Sequence, residues 1–140
     1  MLLRNKKEND PNEDKWIGIG GKIEEGETPC DCMLREVREE TGIIPTEWEY
    51  KGIVSFISDR WEDEIMHLFT AKAESEDVTE CSEGQLEWID EDKIIFLNLW
   101  EGDRIFLDLM IRGEQFFKLK LIYEGEKLKE AYLNDHKIHM

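Results

Sequence analysis

Apolar residues recur along this chain with two periods, and the switches between them delimit the predicted elements. Cys30, Met33, Leu34, Val37 and Thr41 step by threes and fours, which predicts a helix with one inward stripe. Thr28 is a good N-cap, and Pro29 suits the first helical position because its missing N–H would be unpaired there anyway. Asp31 adds negative charge to the first turn. Gly42 predicts a left-handed stop just past Thr41. A second amphipathic run covers residues 104–112, with Gly113 to end it.

Elsewhere the period is two. Residues 1–4 read as the tail of a strand and residues 16–19 as a short strand. Trp48 and Tyr50, then Ile53, Val54 and Phe56, give a strand over 47–58 with a bulge at Lys51-Gly52. A turn at 59–63 leads into a returning strand over 64–73, so the two form a hairpin. His67 lies among apolar neighbours in that return and reads as a hydrogen-bonded structural imidazole. An acidic loop over 74–83 precedes a strand at 85–89. Residues 116–123 and 127–133 form a closing hairpin around Glu124-Gly125-Glu126.

Glu36, Glu39 and Glu40 lie off the helical stripe at i, i+3 and i+4. That spacing puts their carboxylates on neighbouring positions, where like charges repel. Two readings follow from spacing alone: a solvated acidic face attended by Arg35 and Arg38, or a set of hard oxygen ligands for a cation such as Mg²⁺ or Mn²⁺.

Composition narrows the partners. At 140 residues one domain with one core is expected. A formal charge of −16 argues against nucleic-acid polymers, whose binding depends on Lys and Arg neutralising phosphates. A small phosphorylated ligand would be repelled too, unless divalent cations supplied the missing positive charge. Cys30, Cys32 and Cys81 have neither disulfide-framework nor zinc-ligand spacing and read as reduced thiols. No apolar run is long enough to span a membrane, and no signal-peptide core is visible. The expectation is a cytoplasmic protein without membrane partners.

The whole pattern is more specific than its parts. Gly21, five residues, Glu27, seven residues, Arg35, Glu36, Val37, any residue, Glu39, Glu40, any residue, Gly42 and Ile43 resembles the Nudix box with every specified position filled. The resemblance implies an α+β fold, a curved mixed β-sheet sandwiched between helices, and an enzyme cleaving a nucleoside diphosphate linked to another group. It implies Glu36, Glu39 and Glu40 as metal ligands together with the Gly21 carbonyl, Mg²⁺ as cofactor with Mn²⁺ as a substitute, and Glu27 and Arg35 as residues that hold the motif together. Relative to the family, the expectation is a chain lacking the first strand, which would leave an unpaired edge, and either a monomer or a homodimer as its assembly.

Further expectations come from the MutT-like, oxidised-purine branch. Lys6 and Lys22 are candidate phosphate or substrate contacts. Glu83, five positions before Trp88, is a candidate additional metal ligand or water-positioning residue, with Glu87 as competitor. One of Glu39, Glu40 or Glu83 would handle the proton of the attacking water. Residues 96–103 resemble a base-reading loop in which Trp100 stacks on a purine and Asp103 bonds its edge, against the simpler reading of a packed tryptophan and a helix N-cap. Ile17 and Gly102 depart from that branch. The resulting expectation is hydrolysis of a nucleoside triphosphate, such as 8-oxo-dGTP, to monophosphate and pyrophosphate. Cleavage of ADP-ribose or another nucleotide derivative is the alternative, and a non-catalytic nucleotide sensor is a third reading.

Overall fold

Helix α1 (Pro29–Thr41) starts and stops where its residues place it. Thr28 Oγ1 accepts the Asp31 amide at 3.1 Å, and Asp31 Oδ2 accepts the Thr28 amide at 3.0 Å, a reciprocal capping box. At the other end Gly42 takes the left-handed conformation, with φ of 78°, and its amide bonds the Arg38 carbonyl. The structure is a computed structural model describing residues 1–5, 10, 12–79, 81 and 84–139. Its elements are β1 (Leu2–Leu3), β2 (Trp16–Ile17), α1, β3 (Glu47–Ser58), β4 (Glu64–Lys72), β5 (Gln85–Leu86), α2 (Glu91–Ile94), α3 (Glu101–Ile111), β6 (Phe117–Glu124), β7 (Lys127–Leu133) and β8 (His136–Ile138). They fall into two compact units, Met1–Trp48 with Ala71–Leu99 and Glu49–Thr70 with Trp100–Met140.

The first unit contains α1, α2 and an antiparallel sheet ordered β2-β1-β5. The two outer strands are shorter than the alternation at 16–19 and 85–89 predicts. Both pair with the two-residue β1, and a ladder cannot outrun its middle strand. Because β1 is paired on both sides, the edge expected there is not open. The one-turn helix α2 was not anticipated from periodicity, being too short to display a full helical stripe.

The second unit is built on a mixed sheet ordered β4-β3-β6-β7-β8. Strand β6 runs parallel to β3, from Gly52 opposite Phe117 to Ser58 opposite Tyr123, and antiparallel to β7. Alternation in β6 is clean: Phe117, Leu119, Leu121 and Tyr123 are buried while Lys118 and Lys120 are exposed. The buried set packs with Phe106 and Leu109 of α3. In the hairpin, Tyr50 Oη and His67 Nδ1 lie 2.5 Å apart, the bonded imidazole expected at that position.

Two elements of this unit differ from the sequence reading. Strand β8 follows a turn in which Asn134 and Asp135 have φ of 49° and 69°, the two-residue positive-φ geometry that twists a hairpin correctly. Helix α3 starts at Glu101 instead of Arg104, with Trp100 as N-cap in extended conformation, so Asp103 lies in the first turn and is not the cap. The earlier start is supported by Tyr123, whose Oη accepts the otherwise orphaned Gly102 amide at 2.8 Å. Among the described residues no helix is long and apolar enough to cross a membrane.

Candidate active site

A glycine loop lying along one face of α1 forms the candidate site, entirely within the first unit. The Gly20 amide donates to Glu40 Oε2 at 3.1 Å, and the Cys32 thiol approaches the Gly21 carbonyl at 3.7 Å. A Cβ placed on Gly21 would collide with the Glu36 carboxylate. Residues 32, 36 and 40 therefore form the i, i+4, i+8 row beneath the loop. This corrects the predicted inward stripe at every position but Thr41: Cys32, Glu40 and Thr41 are the buried residues of the helix, while Cys30, Met33, Leu34 and Val37 are only partly buried. The apolar periodicity missed this face because two of its three members are glutamates, covered by backbone instead of apolar side chains. The pair of glycines was the signal that backbone comes close here. Burial pushes the Cys32 thiol pKa up, so this side chain supports the loop as a neutral group.

Arg35 is the electrostatic centre of the loop and helix. Its Nε and Nη2 grip Glu27 through both carboxylate oxygens, at 2.7 and 3.0 Å, in the fork geometry that suits guanidinium to carboxylate. Nη2 also bonds the Lys22 carbonyl at 3.0 Å. Nη1 bridges two of the helix carboxylates, Glu36 at 2.7 Å and Glu39 at 3.2 Å. The hydrogen bonds it donates to Glu27 and Glu36 hold the guanidinium pKa above its ordinary value. Reciprocally, Arg35 and then the Glu24 amide hold the Glu27 carboxyl below the usual carboxylate range.

The three carboxylates thus have different surroundings. Glu40 is buried with one oxygen on the Gly20 amide, Glu36 is mostly covered and lies against Gly21, and Glu39 is half-exposed on the rim. Among the described residues, no three His, Cys, Asp or Glu side chains are already gathered as a metal cage. The donor chemistry nevertheless fits a divalent ion. Carboxylate and carbonyl oxygens are hard ligands, the missing Gly21 side chain leaves Glu36 room, and a cationic group already fits between Glu36 and Glu39.

The remaining candidates are dispersed. Lys22 is exposed next to Gly21 in the loop. The Glu87 side chain accepts from Gln85 Nε2 at 2.8 Å, and its backbone pairs with Met1. Lys6 and Glu83 lie outside the described residues. Trp100 and Asp103 belong to the second unit and both are buried. The Trp100 ring is 8% exposed and packs perpendicular to Trp61 and to Tyr123, at 5.6 Å in each case.

Known proteins resemble this chain over most of its length. The NUDIX domain family matches residues 1–110. An uncharacterised Nudix hydrolase, YvcI of Bacillus subtilis, is 39% identical over 122 residues, which is 83% of this chain and 77% of that protein. The oxidized purine nucleoside triphosphate hydrolase of Danio rerio is 34% identical over 104 residues, 73% of this chain and 66% of that protein, just under two thirds of its length. A crystal structure of the mutator MutT protein of Bacillus halodurans superposes with a TM-score of 0.82 at 27% identity, covering 95% of this chain and 88% of that one. The chain belongs to the Nudix family and is a hydrolase of that family.

Proposed function

We propose that this Nudix hydrolase uses Mg²⁺ to cleave a nucleoside triphosphate into nucleoside monophosphate and pyrophosphate, with oxidised purine nucleotides such as 8-oxo-dGTP as substrates. The observation that carries the reading is the contact between the glycine loop and the Glu36 and Glu40 face of α1. It sets two carboxylates against an exposed backbone free of side-chain bulk, which supports approach by a diphosphate.

Glu36, Glu39 and Glu40, with the Gly21 carbonyl, would hold the cations, and Mn²⁺ is the expected substitute. When bound, such ions neutralise phosphate charge and activate water. Glu27 and Arg35 keep the loop seated on the helix. Lys22, exposed beside the loop, would contact phosphate oxygens, with Lys6 as a second basic contact. One of Glu39, Glu40 or Glu83 would take or orient the proton of the attacking water. Trp100 and Asp103 are the proposed base contacts, and the substrate named for the Danio rerio relative supports that choice.

A second reading has one observation in its favour. With its ring so little exposed, Trp100 offers a base little stacking surface in this conformation. That favours a substrate recognised through its diphosphate, such as ADP-ribose or a nucleotide sugar. A substrate panel with product identification separates the two. Monophosphate plus pyrophosphate from a purine triphosphate is expected; preferential release of AMP and ribose 5-phosphate from ADP-ribose would replace the first reading with the second.

A further inference from the structure

In a helix with carboxylates at i, i+3 and i+4, the repulsion has to be relieved before any metal arrives. The structure identifies what relieves it. Arg35 Nη1 sits between Glu36 Oε1 and Glu39 Oε2, at 2.7 and 3.2 Å. A single nitrogen thus bridges two of the three carboxylates proposed to hold the ion. The rest of the guanidinium is held independently: Nε and Nη2 grip Glu27 on the loop, and Nη2 also bonds the Lys22 carbonyl.

These two sets of contacts differ in how easily they are lost. The Glu27 grip is bidentate and both partners are mostly covered, with side chains 16% exposed. The Glu39 contact is single and longer, and that side chain is 55% exposed. An exposed single contact is the weaker of the two and the first to yield to a competing cation.

We propose that Arg35 is a resident counter-cation: Nη1 lies between Glu36 and Glu39 and gives up Glu39 when a divalent ion binds, while Nε and Nη2 stay on Glu27. This rests on the metal-site reading above and deepens it. Arg35 is then a positioning residue with two separable roles, scaffold through Glu27 and competitor through Glu39. The exchange keeps the acidic face neutralised in both states. It also implies that intrinsic cation affinity is masked, because each ion must displace an existing charge-assisted hydrogen bond.

The test uses the full chain, with Mn²⁺ binding followed by the loss of the free-ion EPR signal and thermal unfolding recorded with and without Mn²⁺. Set against Glu27→Gln, which removes the scaffold arm alone, Arg35→Gln also removes the competitor, so it should bind Mn²⁺ about 2- to 5-fold more tightly, the worth of one exposed ion pair. Its melting temperature should drop without metal and recover in part with saturating Mn²⁺. Glu27→Gln, which cuts only the scaffold arm, should lower the melting temperature in both conditions. A merely structural Arg35 gives the opposite pattern: Mn²⁺ binding to Arg35→Gln as weak as to Glu27→Gln or weaker, and equal destabilisation with and without metal. That result overturns the proposal.

If Arg35→Gln does not fold without metal, the wild-type chain carries the test. Independently, ¹⁵N spectra of the wild-type arginine side chains during Mg²⁺ addition should show the Arg35 Nε–H signal unmoved and the Nη1 signals shifted; unmoved Nη1 signals overturn the proposal. Failure of the wild type to bind Mn²⁺ at all would remove the metal site itself, and the exchange with it. Binding to Arg35→Gln that is no tighter than to Glu27→Gln removes the exchange alone.

Discussion

The Gly20 amide donates to Glu40 Oε2 at 3.1 Å, across twenty residues of sequence, and this bond ties the glycine loop to the last turn of α1. Glu40 is therefore both a candidate ligand and a structural anchor. Replacing it with Ala should lower unfolding free energy by about 1–3 kcal/mol, the usual cost of losing a hydrogen bond to a buried charged group. Glu39→Gln, on the half-exposed rim, should barely change stability while abolishing hydrolysis. Urea unfolding of both variants checks this; equal destabilisation would show that the loop is not anchored through Glu40.

Gly21 has to be glycine for a reason separate from backbone conformation. A Cβ there would occupy the space of the Glu36 carboxylate. Gly21→Ala should therefore displace Glu36 or lift the loop, weakening divalent-ion affinity by about 10- to 100-fold, as lost support does at metal sites. Mn²⁺ titration measures it. Wild-type affinity in the Ala variant would mean that Glu36 takes no part in holding the ion.

The Arg35–Glu27 pair makes stability depend on pH in one direction. Arg35 holds the Glu27 pKa below its ordinary value, so the folded state binds this proton less readily than the unfolded chain. The contribution is present above the unfolded value of about 4.3 and is lost as pH falls through the folded value. Melting temperature should decline on the acid side of that point in the wild type. In Glu27→Gln the same limb should be flatter, because the group that titrates is gone. Parallel acid limbs in the two proteins would assign the loss to other carboxylates.

Gly102 and Tyr123 form a matched pair in the second unit. Tyr123 Oη accepts the Gly102 amide, and a Cβ on Gly102 would run into both Leu121 and that hydroxyl. Burial pushes the Tyr123 phenol pKa well above normal, so the group stays protonated throughout the working range. Tyr123→Phe should cost about 1–3 kcal/mol by leaving a buried amide without an acceptor. Gly102→Ala should destabilise by a similar or larger amount through overpacking. Chemical denaturation of the two variants decides it; a neutral Gly102→Ala would mean that the start of α3 can shift to make room.

The order in which these features could be read follows from how locally each is determined. Thr28, Pro29, Asp31 and Gly42 are sufficient to fix both ends of α1, because capping involves only residues within a turn of each other. The alternation of β6 likewise survives as its buried and exposed faces. The box pattern from Gly21 to Ile43 carried the family, since its spacing records which helix positions face one way. Contacts between distant residues were not legible in the same manner. That α3 begins at Glu101 depends on the Tyr123 oxygen, twenty-one residues beyond the Gly102 amide it accepts. The short ladders of β2 and β5 depend on the length of β1 between them.

By itself, then, the sequence determined most of the elements, the family and the candidate oxygen donors, all of which are consequences of spacing along one chain. Only the tertiary structure decided which of those donors are buried under the glycine loop, which one remains on the rim, and that a guanidinium already bridges two of them. Burial and pairing are set by what lies across the fold, and no periodicity along the chain encodes the neighbour that a folded backbone brings in.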